Sequence, residues 1–224
     1  MSEELRTILY PLGFIAQFFF TLRFFIQWFL SERAQKSYVT TLFWKISILG
    51  NGLLMLHGYL QGQFHLCLIQ STNLIISWRN LNLMQFRESN SSIRNTLLLL
   101  LASIFMPILL FSLQIGSESW FRIPRAPWQA NYIVNITIGW HILGFSAMLI
   151  FASRFWIQWI DAERKQESHL GPLFWWTSLI GSILSLIYFI FIADMINIIG
   201  YGLGSLPYIR NLMLIKKSKG FSYE

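Results

Sequence analysis

Hydrophobic residues in this chain come in blocks, not in the alternation of an amphipathic strand or the narrow stripe of a surface helix. Runs of about twenty residues rich in Leu, Ile, Phe and Trp are separated by short polar stretches. At 1.5 Å rise per residue, a helical run of that length crosses a hydrocarbon core of about 30 Å. The pattern predicts seven helices, over residues 9–30, 41–60, 64–84, 95–115, 139–160, 172–193 and 195–215. Breakers mark the joints: Gln61-Gly62-Gln63, the Ser89-Asn90-Ser91-Ser92 cluster, and the stretch from Gly116 to Pro127.

The polar positions inside these blocks occur twice. Residues 13–84 placed on residues 144–215 without a gap give 23 identities in 72 pairs, which indicates internal duplication. Helices one to three (9–86) and five to seven (139–215) form the two units. Residues 87–131 supply a linking helix and a loop, and residues 216–224 a basic tail. Four crossings separate the first helix from the fifth, so the units share one orientation, in a 3+1+3 arrangement of two parallel three-helix repeats. The expected fold is therefore an all-α integral membrane protein.

Charge sets the expected orientation. Arg33, Lys36, Arg87, Arg94, Arg164, Lys165, Lys216, Lys217 and Lys219 fall on one side, against Arg6, Arg122 and Arg125 on the other. Nine basic residues against three put the C-terminus in the cytoplasm and the N-terminus outside. Composition agrees: 54% hydrophobic and only 12% charged residues exclude an ordinary soluble domain. The net charge of +7 does not indicate nucleic-acid binding, because the basic residues cluster at the ends of apolar runs. Cys67 is the sole cysteine and forms no intramolecular disulfide. Trp120, Phe121 and Trp128, in the outer loop, are expected as interfacial anchors or as part of an ordered loop.

Candidate chemistry lies in the polar residues that were copied. Arg23 matches Arg154, and Arg79 matches Arg210, all within apolar runs. An arginine there needs protein, water or an anion to face. Gln27 and Gln158 follow the first arginine pair at i+4, on the same helical face, and Trp28 and Trp159 come next. Trp44, Ser47 and Gly50 recur as Trp175, Ser178 and Gly181, where the glycines permit close helix approach. Asn80 and Asn211 follow the second arginine pair. One reading has the four arginines converge on a phosphate, to which the guanidinium fork is suited, with the glutamines, asparagines, serines and tryptophans around the head group. The other has the arginines snorkel or pair with Glu32 and Glu163. Gln70 and Asn73 could line a cavity, but their counterparts are Tyr201 and Gly204, which favours interhelical hydrogen bonds for them. Asp194, at the joint of the last two helices, is expected outside the hydrocarbon. No histidine spacing suggests a metal, and no cofactor motif or catalytic constellation is visible.

The elements Gly13, Gln17, Arg23-Phe24, Gln27-Trp28, Ser31-Glu32, Ser37, Phe43-Trp44, Ser47 and Gly50 resemble the lipid A biosynthesis N-terminal domain family. The second copy supplies Gly144, Arg154-Phe155, Gln158-Trp159, Glu163, Ser168, Pro172, Phe174-Trp175, Ser178 and Gly181. The resemblance implies a bacterial inner-membrane domain related to the PQ-loop and SWEET group, built of three-helix units. It also implies a place in lipopolysaccharide synthesis, with a phosphorylated lipid A precursor as ligand and a cytoplasmic glycosyltransferase, lipid-A-disaccharide synthase, as partner domain. The catalytic part of such a synthase is not among these 224 residues. Thr41 stands opposite Pro172, Met148 opposite Gln17 and Ala162 opposite Ser31, and neither copy has the Pro-Gln pair of the wider group.

Overall fold

The computed structural model describes residues 3–85, 93–113, 120 and 137–220, and all regular structure among them is helical. The elements are α1 (Glu3–Leu9), α2 (Leu12–Ala34), α3 (Thr41–Gln61), α4 (Phe64–Gln85), α5 (Ile93–Ser112), α6 (Ile138–Lys165), α7 (Pro172–Phe191) and α8 (Met195–Gly220).

Seven of these correspond to predicted helices, and α1 is additional. It exists because Pro11 cannot donate the next helical hydrogen bond, so the chain turns at Tyr10-Pro11 and restarts at Leu12. At their far ends α2 and α6 run past the expected limits. Each stops at a glutamine in left-handed conformation, Gln35 and Gln166, both at φ 51°. The side-chain amide of each donates back to a carbonyl of the last turn, Glu32 O and Glu163 O, at 2.7 Å. These are C-caps of the glycine type made by glutamine. Gly62, at φ 71°, ends α3 in the same way, and Pro172 opens α7 at a position that needs no donor. α8 continues through the tail to Gly220, so the boundary expected at residue 215 is not a structural break.

Packing closes six helices into a ring. α2 lies against α3, α3 against α4, α4 against α6, α6 against α7, α7 against α8, and α8 against α2. α5 lies outside, against α4, and α1 touches α3. Glycines set the closest approaches: a methyl added at Gly181 would stand 2.7 Å from the Phe151 backbone. Inside the ring, Phe24, Phe43, Trp44, Phe155, Phe174, Trp175 and Tyr208 form one buried aromatic layer. Outward, α5 exposes Leu98, Leu101, Phe105, Met106 and Leu109.

Four stretches, Glu4–Ala34, Ile93–Ser112, Ile138–Lys165 and Pro172–Phe191, are long and apolar enough to cross a membrane. α3, α4 and α8 have the length, at 21, 22 and 26 residues, but carry more polar side chains. Those polar groups face the interior of the ring, among them Asn51 and His57 on α3, Gln70, Asn73, Arg79 and Asn80 on α4, and Asn197 and Asn211 on α8. Arg122, Arg125, Phe121 and Trp128 lie outside the described residues. Trp120 packs on Phe64, with ring centres 4.9 Å apart, and its carbonyl accepts the Phe64 N–H at 2.9 Å.

Candidate functional site

Two polar assemblies sit on either side of the aromatic layer. The first ties residues 13–84 to residues 144–215 at the end of the bundle where α2 and α6 terminate. Arg79 grips Glu163 with both arms, Nε to Oε1 at 2.5 Å and Nη2 to Oε2 at 2.9 Å. Arg210 grips Glu32 in the same fashion, Nε to Oε1 and Nη2 to Oε2, the latter at 2.9 Å. Gln27 and Asn211 exchange amide hydrogen bonds at 3.0 and 3.1 Å, and Gln158 and Asn80 do so at 2.6 and 2.9 Å. The Trp44 indole donates to Ser168 Oγ at 2.9 Å, and that of Trp175 to Ser37 Oγ at 3.1 Å. Trp28 and Trp159 donate to Glu32 and Glu163 at 3.0 and 2.9 Å. The pattern is reciprocal: each of these bonds is matched by one between the counterparts 131 positions away. Interhelical hydrogen bonds of this kind contribute about 0.6 kcal/mol each inside membrane proteins, so their effect is cumulative.

The second assembly is a cavity within the ring, about 710 Å³ including its open mouth. Apolar walls come from Phe20, Phe24, Leu54, Leu66, Ile69, Met148, Phe151 and Phe155, and polar groups from Gln17, Arg23, Asn51, Gln70, Asn73, Arg154, Asn197, Tyr201 and Tyr208. That mixture, mostly apolar with a few convergent polar groups, is that of a small-molecule site. Among the described residues, no aspartate or glutamate lines it.

Arg23 and Arg154 are the charged members, only 2% and 3% exposed. Arg23 donates to Ser47 Oγ at 2.6 Å, and Arg154 to the Tyr208 hydroxyl at 3.1 Å. Both guanidiniums lie over the same two rings, within 5.5 Å of the Phe24 and Phe155 centres. The ring faces give partial compensation. The Nε–H of each arginine is buried without a hydrogen-bond partner, and neither arginine has a carboxylate partner among the described residues. On α4, the side-chain oxygens Oε1 of Gln70 and Oδ1 of Asn73 are also buried without a partner. Four residues that line one cavity, Arg23, Arg154, Gln70 and Asn73, thus each keep one buried polar atom without a partner.

The fourteen residues singled out in the sequence thus divide. Arg23 and Arg154 reach the cavity, and Ser47 supports Arg23 from behind while bonding Phe43 O at 2.6 Å. Ser178 bonds Phe174 O at 2.5 Å and is fully buried. Gln27, Trp28, Trp44, Arg79, Asn80, Gln158, Trp159, Trp175, Arg210 and Asn211 are in the cross-linking assembly and do not line the cavity. The four arginines do not converge on one point. Of the two roles open to Gln70 and Asn73 from sequence, cavity lining and interhelical bonding, the structure has both residues on the cavity wall. Gln17, Asn51, Asn197, Tyr201 and Tyr208 were not singled out as ligand groups. The available signal was a polar side chain in an apolar run, and the internal matching of the sequence discards it, because Gln17 is opposite Met148 and Asn51 opposite Ser182.

Beyond the cavity, Asp194 is 2% exposed in the α7–α8 turn. It caps α8 by accepting from Asn197 N at 3.3 Å and Nδ2 at 2.8 Å. Burial pushes its carboxyl above the ordinary aspartate range, and the bonds from Asn197 oppose that shift. Asn197 Oδ1 in turn accepts from Gln17 Nε2 at 3.5 Å. Among the described residues no cluster of three His, Cys, Asp or Glu side chains could hold a metal ion.

Comparison with known proteins gives a consistent result. The model of the lipid A biosynthesis N-terminal domain family matches residues 12–82 and again residues 143–213. A lipid-A-disaccharide synthase of Chlamydia felis is 41% identical over 219 residues, covering 95% of this chain and 34% of that protein. The synthases of Chlamydia caviae and Chlamydia trachomatis serovar D are 37% and 33% identical, covering 95% and 96% of the chain and 34% and 35% of those proteins. The chain thus spans about a third of the length of these relatives. No solved structure shows significant similarity. With well over half its length matched, this chain belongs to the lipid A biosynthesis N-terminal domain family.

Proposed function

We propose that this protein is an inner-membrane module of lipid A biosynthesis that holds the phosphorylated head group of a glycolipid in the cavity between Arg23 and Arg154. The carrying observation is the pair of buried guanidiniums on one cavity with no carboxylate among the described residues to neutralise them. Two uncompensated charges in a dry interior cost several kcal/mol unless an anion joins them. Phosphate suits the guanidinium fork and uses the free Nε–H groups. Kinship with synthases of a lipid A disaccharide supports a glycolipid as the carrier of that phosphate, and a glycosyltransferase domain as the partner the module serves. Six ring helices and the outer α5 make seven spans in a 3+1+3 layout of parallel repeats. The excess of basic residues supports a cytoplasmic position for the cross-linked end.

A second reading is transport, in the manner of the PQ-loop and SWEET group. The aromatic layer and the cross-linking assembly close the bundle at one end, while the cavity lies on the other side of that layer, as in one state of an alternating-access cycle. A purely structural anchor would leave Arg23 and Arg154 without a reason to be charged.

Native mass spectrometry of the protein released from gentle detergent separates these accounts. Wild type is expected to retain a phosphorylated glycolipid that Arg23→Ala/Arg154→Ala loses. Equal lipid in a folded double variant would return the arginines to a structural role. If wild type retains the lipid, flipping in proteoliposomes then decides between holding and transport.

A further inference from the structure

We infer that Asp194 is a proton-binding site coupled to the cavity, and that Asn197 and Gln17 carry the coupling. The inference rests on the reading that the cavity holds an anion and adds a second ligand, the proton, at a separate place. Asp194 stands in the α7–α8 turn, and α7 starts beside the cross-linking assembly, so this turn is at the opposite end of the bundle. Its carboxyl is 2% exposed and forms no ion pair among the described residues. A buried acid without a cation favours its neutral, protonated form. The titratable groups near enough to feel its charge are Tyr10 ahead of α2, Tyr188 on α7 and Tyr201 on α8, none of them a cation. On α3, His57 meets the Tyr10 ring edge-on, with ring centres 5.8 Å apart, and on α1 Arg6 donates to Leu60 O at 3.1 Å. The charged groups on the cavity itself are Arg23 of α2 and Arg154 of α6.

A line of side-chain amides joins this acid to the cavity. With the carboxylate charged, Asn197 Nδ2 donates to Asp194 Oδ2 at 2.8 Å, which leaves Asn197 Oδ1 to accept from Gln17 Nε2 at 3.5 Å. Asn197 and Gln17 both line the cavity. Each amide has one donor end and one acceptor end, so the line has a direction. A proton taken from water turns Asp194 Oδ2 from an acceptor into an O–H donor, and that donor needs the Asn197 oxygen. Asn197 then offers its amide N–H to Gln17, and Gln17 answers with Oε1. The end of Gln17 that does not bond Asn197 thereby changes from the oxygen to the N–H donor. Gly200 leaves room for that amide, since a methyl added there would collide with both of its ends. The first state disfavours an anion in the cavity and the second favours it, and loss of the carboxylate charge acts in the same sense. Proton and anion therefore strengthen each other's binding, and the coupling is reciprocal.

Calorimetric titration of the full chain in detergent micelles tests this, with an acylated glucosamine 1-phosphate as probe. Asp194→Asn is a near-isosteric stand-in for the protonated acid. At pH 9 this variant is expected to bind the probe about tenfold more tightly than wild type, an ordinary strength for coupled sites. Towards pH 5 its advantage disappears, because wild type takes up the proton. Both proteins are compared at the same pH, so protonation of the probe's own phosphate cancels. Gln17→Leu cuts the amide line and is expected to abolish most of the gain that Asp194→Asn brings.

Equal affinity of wild type and Asp194→Asn at every pH overturns the coupling and leaves the anion site standing. A gain undiminished by Gln17→Leu overturns the role of the amide line and assigns the effect to charge alone. A probe that binds neither protein better than the same lipid without phosphate overturns the anion site, and the coupling with it. Infrared spectroscopy of ligand-free wild type reads the proton directly. A protonated-carboxyl band missing from Asp194→Asn is expected to persist above the pH at which ordinary aspartates lose theirs, and its absence would overturn the proton site.

Discussion

The same ion pair occurs twice in this protein in two different environments. The Arg79–Glu163 side chains are 4% and 10% exposed, and those of Arg210–Glu32 43% and 29%. Glu163→Gln takes the bidentate carboxylate from a buried guanidinium and is expected to destabilise the fold by about 3 kcal/mol. Glu32→Gln, whose guanidinium partner stays in contact with water, is expected to cost clearly less. Thermal unfolding of both variants in one detergent checks the order, and equal losses would mean the two ends of the assembly are alike in burial. From sequence both fates, a phosphate or a glutamate partner, were open to all four arginines, since each is copied and each lies in an apolar run. The division of labour follows from what stands opposite: a glutamate for Arg79 and Arg210, a cavity for Arg23 and Arg154. The cross-chain pairing of Gln27 with Asn211 was not legible, because a glutamine and an asparagine 184 positions apart carry no mutual signal until the helices are placed.

Among the helices, the ring is held together by close approaches that a single atom can disturb. Gly181 lets α7 meet the α6 backbone at Phe151, where a methyl would sit 2.7 Å from the Cα. At the matched Gly50, the methyl would meet instead the Phe20 ring, at 2.9 Å, and a side chain can swing away where a backbone cannot. Gly181→Ala is therefore expected to cost about 1–3 kcal/mol of stability, and Gly50→Ala less, read from the loss of folded protein on heating. A larger loss at Gly50 would mean that the α2–α3 contact is the more rigid one. Hydrophobic run length located α3 to α7 within a few residues, since crossing a bilayer imposes that length. It missed α1, because the break comes from a single residue, Pro11, inside an otherwise continuous apolar stretch. It also missed the glutamine caps, which depend on a left-handed backbone at Gln35 and Gln166.

For the whole molecule, the claim is that the bundle accepts two buried positive charges in order to hold an anion. Its all-helical, apolar class was legible, and the two arginines that line the cavity were among the four that the copied positions singled out. The rest of the lining was not, because the polar wall is drawn from unlike residues, Gln70 and Asn73 on α4 where α8 offers Tyr201 and Gly204. A site for one unsymmetrical ligand needs such unlike walls, and a search for copied residues cannot see them. The direct test is thermal unfolding of wild type and of Arg23→Gln/Arg154→Gln, each with and without an acylated glucosamine 1-phosphate. Removing two uncompensated charges should leave the ligand-free variant at least as stable as wild type. Saturating ligand should raise the unfolding temperature of wild type only, a stabilisation of about 2.7 kcal/mol at a hundredfold excess over Kd. A variant that is less stable without ligand, and stabilised by it as much as wild type, would contradict the account and make these arginines part of the scaffold.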